Sequence, residues 1–430
     1  MREIKVGLIG FGTVGQGVVK ILLEGRDIIA SKLGAHLVLK GIADLNLERD
    51  RGIPLEGIRL TTDAKELITD PDIDIIVELI GGEEPAKSYI LEATERGKSV
   101  VTANKLLLAR WGREILEAAR RRGVQIAFEA SVGGGIPIVR SLRDGLVADR
   151  IRAVFGIING TSNYILTEMT ERGGRFSEVL KVAQEKGYAE ADPTLDVEGH
   201  DSAHKLTILI LLAFGKHIEA DKIYTEGISH ITPLDIEFAQ ELGYRIKLLA
   251  IAKREGEFIE ARVHPTMVPA DSLLATVGGV YNAIFVKGEA TGSTMFYGRG
   301  AGMMPAGAAV VADLVEIARN IMTGGSAPMP VHDEGLALRD MSETVNHYYF
   351  RFSAIDRPGV LSKISGVLGD HDISIASMIQ KGRQVKGAVP VVMMTHEAKE
   401  KNVLDALRII DQLAVVRGKT MMIRVEESLS

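Results

Sequence analysis

Asp201 and Lys205 stand four residues apart in the stretch GYAEADPTLDVEGHDSAHK, residues 187 to 205. On a helix that spacing puts both side chains on one face, with the acid on the N-terminal side, where pairing is best. The helix runs on into LTILILLAF, residues 206 to 214, an apolar segment that suits a buried helix. A lysine in such surroundings needs a carboxylate beside it to stay protonated and aimed. A positioned ammonium is what a carbonyl needs while hydride adds to its carbon, because negative charge grows on the oxygen. Pro193 and Gly199 break regular structure, so Glu190, Asp192 and Asp196 fall on a loop leading into that helix. Glu190 and Asp196 are then surplus carboxylates, matched to a substrate that carries an ammonium of its own, such as an amino-acid aldehyde. The same acids also read as a structural ion-pair network or a calcium loop, although the EF-hand spacing is missing. His200 and His204 are four apart as well, but without HExxH they read as ordinary helix-surface histidines rather than a zinc pair.

A hydride chemistry needs a carrier, and the N-terminal third has the elements to hold one. IKVGLI, a short β-run, leads into Gly10-Phe11-Gly12-Thr13-Val14-Gly15 and then an apolar-periodic helix. Gly10 permits the tight turn, Gly12 lets backbone approach a pyrophosphate, and Gly15 lets helix and strand pack closely. The helix N-terminus adds free N–H groups and its positive dipole end. A second β-run, HLVLKGIAD, ends in Asp44, where a carboxylate would bond a ribose diol and repel a 2′-phosphate. That leans toward NAD, with Arg49 and Arg51 close behind to serve NADP instead. Further β-runs at 73–82, 98–105 and 124–137 alternate with helices, which predicts a doubly wound sheet with its ligand at the carboxyl ends of the strands. Those ends read ELIGG, TANK and EASVGGG, so topology brings Lys105 to the cofactor edge. A lysine that merely opens a helix is unfavourable beside the positive dipole end.

After residue 150 the pattern changes to a strand, Asn159-Gly160-Thr161-Ser162-Asn163, and a helix; by themselves these residues read as turn and cap. At 430 residues the chain is too long for one core. A net charge of −6 with interspersed signs predicts neither a nucleic-acid nor a membrane partner. The absence of cysteine excludes disulfides and thiol chemistry, and with no long apolar span it predicts a cytoplasmic protein.

AQEKGYAEADPTLDVEGHDSAHK, together with GFGTVG, VTANK, EASVGGGIP and NGTSNYIL in that order, resembles the homoserine dehydrogenase family. YGRGAGMMPAGAAVVADL at 297–314 is similar too, with Arg299 and Ala306 in place of the commoner proline and threonine. The resemblance spans residue 4 to about 330. It implies interconversion of L-aspartate 4-semialdehyde and L-homoserine, with Lys205 and Lys105 flanking the carbonyl and Asp201 orienting Lys205. Glu190 and Asp196 would bind the substrate's amino and hydroxyl groups, and the Gly160–Thr161 turn its carboxylate. It further implies a monovalent cation, often sodium, held by the backbone carbonyls of Glu129, Val132, Gly134 and Ile136. Gly298, Gly300 and Gly302 would form a second close-approach loop, Gly300 serving the cofactor. The alternatives are another amino-acid semialdehyde dehydrogenase, or an amino-acid sensor that keeps the fold without catalysis.

Beyond APMPVHD (327–333), a proline-marked connector, period-2 runs alternate with two amphipathic helices in the order βαββαβ. Asp356-Arg357-Pro358-Gly359 lies between the first strand and helix, and the whole resembles an ACT domain. The resemblance implies side-by-side pairing, a homodimer or homotetramer, and an amino-acid effector, threonine first; a plain dimerisation module is the alternative. The expected architecture is therefore α/β: a Rossmann-type nucleotide-binding domain at 1–137 and 300–325, an α+β substrate and dimerisation domain at 138–299, a linker at 326–347 and an ACT domain at 348–430.

Overall fold

The computed structural model describes residues 1–325, 335–380 and 388–429, so the connector at 327–333 lies outside the described residues. The chain divides into two compact units: Met1–Val154 with Asp201–Ile223 and Tyr281–Leu336, and Phe155–His200 with Tyr224–Val280 and Ala337–Ser430.

The first unit is built on a parallel sheet of β1 (Glu3–Ile9), β2 (His36–Ala43), β3 (Arg59–Thr61), β4 (Ile75–Glu78), β5 (Ser99–Thr102) and β6 (Ile126–Ala127), in the order β3-β2-β1-β4-β5-β6. Its central strands read as continuous apolar runs because helices cover both faces; Ile75, Ile76 and Val77 are all fully buried. The sequence shows five runs and the sheet has six strands. Arg59–Thr61 has three residues, two of them exposed, and carries no alternation to read. The run at 124–137 is also shorter than expected: only Ile126–Ala127 pairs, and Glu129–Ser131 turns as a 3₁₀ helix.

The helix Thr13–Glu24 packs on Met303–Thr323, which the chain reaches only after Tyr281. Gly17 and Gly307 form the contact, and a Cβ on Gly307 would come within 2.7 Å of the Gly17 carbonyl carbon. Val18, Val19, Val310 and Leu314 close the core on either side of these glycines.

In the second unit, Tyr244–Glu255 and Phe258–Pro269 form a long antiparallel hairpin, and Tyr224–Thr225 pairs parallel to its second strand. The βαββαβ module follows as expected: Val345–Ala354, helix Val360–Asp370, Ile375–Gln380, Val389–Thr395, helix Glu400–Ile410 and Met421–Val425. Gly359 takes a φ of 86° at the head of the first helix, a conformation that favours glycine. Phe350, Phe352, Ile364, Leu368, Val403 and Leu407 form its core. Its last strand lies parallel to Phe258–Pro269, so the module continues the hairpin's own sheet. Among the described residues no helix is long and apolar enough to cross a membrane.

Candidate active site

Lys105 is the first residue of the helix Lys105–Arg122, directly after β5. Asn104 caps that helix by accepting the Leu107 N–H at 3.1 Å, and its amide donates to the Gly82 carbonyl at 2.7 Å. Beneath it lies a residue that the sequence reading passed over. Glu78, the last residue of β4, is fully buried and accepts from the Thr102 hydroxyl at 2.6 Å and the Ile80 N–H at 2.8 Å. Burial pushes its carboxyl up. It ties the ends of β4 and β5 together and so fixes the backbone that presents Lys105. Its signal was a single acid at the end of an otherwise apolar strand.

Asp201 and Lys205 lie in the first turns of the helix His200–Phe214, with Lys205 Nζ donating to Asp201 at 2.6 Å. The other oxygen of Asp201 meets Lys105 Nζ at 3.0 Å. One carboxylate therefore takes two ammoniums. Asp201 and Lys205 are 7% and 9% exposed, whereas the Lys105 side chain is 41% exposed. Buried attachment at one end and an open cation at the other is an arrangement that can meet an oxygen gaining negative charge. His200 is exposed and His204 half-buried, and among the described residues no group of three or more His, Asp or Glu side chains is placed to hold a metal ion.

The glycine turn fits a dinucleotide. Gly10 takes a φ of 99°, and a Cβ on Gly15 would fall on the Gly10 carbonyl oxygen. A Cβ on Gly12 would meet no protein atom within 4 Å, which leaves space against the backbone where a pyrophosphate belongs. No side chain caps the helix Thr13–Glu24, so the N–H groups beyond Gly12 are left for a ligand. Asp44 follows β2, accepting the Phe11 N–H at 2.6 Å and the Asn46 N–H at 2.8 Å. Arg51 pairs with it at 3.2 Å and lies over the Phe11 ring, 4.6 Å from its centroid. A carboxylate and a guanidinium thus share one corner, groups of the types that can meet a ribose diol and a 2′-phosphate respectively.

The expected cation loop has its own frame. The Glu129 carboxylate accepts the Val139 and Arg140 N–H groups at 2.8 and 2.9 Å, and its N–H donates to Asp313. Gly133 and Gly134 both have positive φ, which turns successive carbonyls out of a regular path. The Ile136 carbonyl accepts from the Ile138 N–H at 2.8 Å and keeps a second lone pair. A backbone-carbonyl cation site is compatible with this loop. Gly300 packs here: a Cβ on it would fall on the Asn282 amide, and a Cβ on Gly134 would come within 2.5 Å of the Gly300 carbonyl. The Gly135 N–H donates to Arg299.

In the second unit, Asn159 does what its type suggested, accepting the Ser162 N–H at 2.8 Å as cap of the helix Gly160–Arg172. It also does something the sequence did not show. Its amide donates to the Asp196 carboxylate at 2.7 Å, and Ser162 Oγ donates to the Asp196 carbonyl at 2.8 Å. Thr161 donates to the Tyr188 carbonyl at 2.6 Å. Asp196 therefore belongs to a short helix, Thr194–Val197, held against the head of the helix Gly160–Arg172. Glu190 is exposed, on a loop whose carbonyl accepts from Gln184 at 3.0 Å.

Comparison with known proteins places the chain in a family. The family profile described as "Homoserine dehydrogenase, NAD binding domain" matches residues 10–129, "Homoserine dehydrogenase" matches 137–315, and "ACT domain" matches 348–415. The chain is 44% identical to the homoserine dehydrogenase of Neisseria gonorrhoeae and 42% to that of Bacillus subtilis, covering 99% of this chain and 99% of the relative in both cases. A crystal structure of a homoserine dehydrogenase from Thiobacillus denitrificans superposes with a TM-score of 0.94 at 46% identity, over 99% of each chain. A hyperthermophilic archaeal homoserine dehydrogenase in complex with NADPH gives a TM-score of 0.64 at 25% identity over 73% of this chain and 97% of its own. The chain belongs to the homoserine dehydrogenase family, oxidoreductases built here from a nicotinamide-cofactor domain, a second sheet domain and a C-terminal ACT domain.

Proposed function

We propose that the chain interconverts L-aspartate 4-semialdehyde and L-homoserine, with Lys205 as the group that gives the proton to the substrate oxygen and takes it back. The observation that carries this reading is the Asp201 carboxylate shared between Lys205 and Lys105. The nicotinamide supplies or accepts the hydride when bound. The chain's own work is electrostatic and positional: the ammonium pair stabilises the oxygen as it gains negative charge, and Asp201 keeps Lys205 aimed. Lys105 supplies the second cation from the cofactor edge of the sheet.

Glu190 and Asp196 are assigned the amino and hydroxyl groups of the substrate, and Gly160 and Thr161 its carboxylate. Asp196 precedes Asp201 by five residues, so the chain itself limits their separation to about 17 Å. The Asn159 amide leaves Asp196 one oxygen for a ligand. Phe11, Gly12, Thr13 and Val14 line the pyrophosphate, and Asp44 with Arg51 supports use of both NAD and NADP, Asp44 favouring NAD. The carbonyls of Glu129, Val132, Gly134 and Ile136 are the cation site, for which sodium is the first choice. The ACT domain is assigned threonine as its feedback effector and the pairing of subunits.

A 340 nm assay with homoserine and each cofactor, with and without threonine and sodium, tests the set together. Cofactor reduction that requires homoserine, and not other hydroxy amino acids, is the expected result. No reduction with any of them contradicts the reading.

A further inference from the structure

The segment from Val197 to Gly199 joins Asp196 to the head of the helix that carries Asp201, and it is packed from one side by residues 225–228. The Ile228 N–H donates to the Val197 carbonyl at 2.8 Å. A Cβ on Gly227 would come within 2.5 Å of that carbonyl and 2.6 Å of Glu198 Cα, and one on Gly199 would press on Thr225 and Val263 at 3.1 and 3.2 Å. The two segments are therefore in close contact. Between these two contacts stands Glu226, whose N–H is fixed to the Val263 carbonyl at 2.8 Å.

The Glu226 side chain is held by the C-terminal module. Arg424, in the module's last strand, donates to Glu226 at 2.9 Å and to both oxygens of Glu400 at 2.5 and 2.9 Å. Its side chain is 2% exposed. Tyr224 donates to the same Glu226 oxygen at 3.0 Å and accepts from Arg424 at 3.1 Å, while His230 lies 3.2 Å from the other oxygen. Glu400 also accepts from the Tyr348 hydroxyl at 2.7 Å, so the guanidinium is anchored on the module's own helix and strand.

We infer that Glu226 is a positioning residue for the substrate side of the reaction, and that Arg424 of the ACT domain sets it. The ACT domain is then a structural part of the loop that presents Asp196, whether or not an effector is bound. The inference rests on the assignment of Asp196 to substrate.

The test uses the full chain and separates the Michaelis constants. Glu226→Ala raises the KM for homoserine about tenfold with kcat and the cofactor KM within about twofold, the pattern of lost ground-state positioning. Glu226→Gln, which keeps an acceptor for Arg424, restores most of it. Gly227→Ala removes none of the charged groups and presses directly on Val197 and Glu198, so it gives the same selective rise even where removal of the Glu226 carboxylate prevents folding. Asp196→Asn in the same assay tests the underlying assignment. If Asp196→Asn raises the homoserine KM and neither Glu226→Ala nor Gly227→Ala does, the positioning role is wrong and the assignment stands. If Asp196→Asn changes nothing, the assignment itself falls, and the inference with it. Loss of thermal stability in Glu226→Ala with homoserine KM unchanged also overturns the inference, since it leaves Glu226 a merely structural residue.

Discussion

Asp201 holds two cations and Arg424 holds two anions, and the triads differ in what they leave over. In the Asp201 cluster the second cation stays open, on a Lys105 side chain that is 41% exposed. In the Arg424 cluster Tyr224, Tyr348 and His230 add further partners to the two carboxylates, and the guanidinium is enclosed. In the first, local order is used to present a charge. In the second, the guanidinium is turned wholly on other protein groups, the condition under which a buried network can rigidify a fold. An exposed charge held by a buried partner is a better guide to chemistry than the number of charges present.

The sharpest way to break this comparison is Arg424→Met. It strands the buried Glu400 and removes a partner of the partly exposed Glu226, and should cost about 3–5 kcal/mol of stability, read as a drop in denaturation midpoint. Asp201→Asn should behave in the opposite sense: turnover falls about 100-fold, about 2.7 kcal/mol in the barrier, while the denaturation midpoint falls far less than in Arg424→Met. Equal losses of stability in the two variants would erase the distinction. Arg51→Ala comes next. Removing the guanidinium beside Asp44 should raise the KM for NADP about tenfold and leave that for NAD nearly unchanged, measured side by side at fixed homoserine.

A further test concerns Asp313, whose carboxyl burial pushes up to about 8 although Arg140 lies 3.3 Å away. Arg140 is one-third exposed and shared with Glu316, so burial prevails. An acid with a raised folded-state value keeps its proton in the folded chain while the unfolded chain releases it. Stability therefore falls as pH rises from the ordinary aspartate range towards 8, and levels off above that. Asp313→Asn should lack this contribution, so its stability relative to the parent should grow between pH 5 and pH 8 in chemical denaturation.

Much of this was legible in the chain because it is local. Gly10, Gly12 and Gly15 announce a turn by spacing, Asp201 and Lys205 announce a pair by helical period, and the ACT pattern is a run of short alternations. The partners that complete each site were not legible. Lys105 reaches Asp201, Asn159 reaches Asp196 and Arg424 reaches Glu226 across long stretches of chain, and no local periodicity encodes a meeting made by topology. Asn159 shows the limit well: an asparagine before a helix is fully explained as a cap, and the cap uses only its carbonyl oxygen, leaving the amide that holds Asp196 unaccounted for. Glu78 escaped because one acid in an apolar strand has no spacing to read.

The central claim is that Lys205 moves the proton on the substrate oxygen. Its most direct test is homoserine oxidation by Lys205→Ala, with and without added methylamine, alongside a cofactor-binding titration. The account predicts a fall in kcat of about 100-fold or more, cofactor affinity little changed, and partial recovery of rate as the free amine takes the place of the missing side chain. Turnover at the parent rate in Lys205→Ala would contradict it.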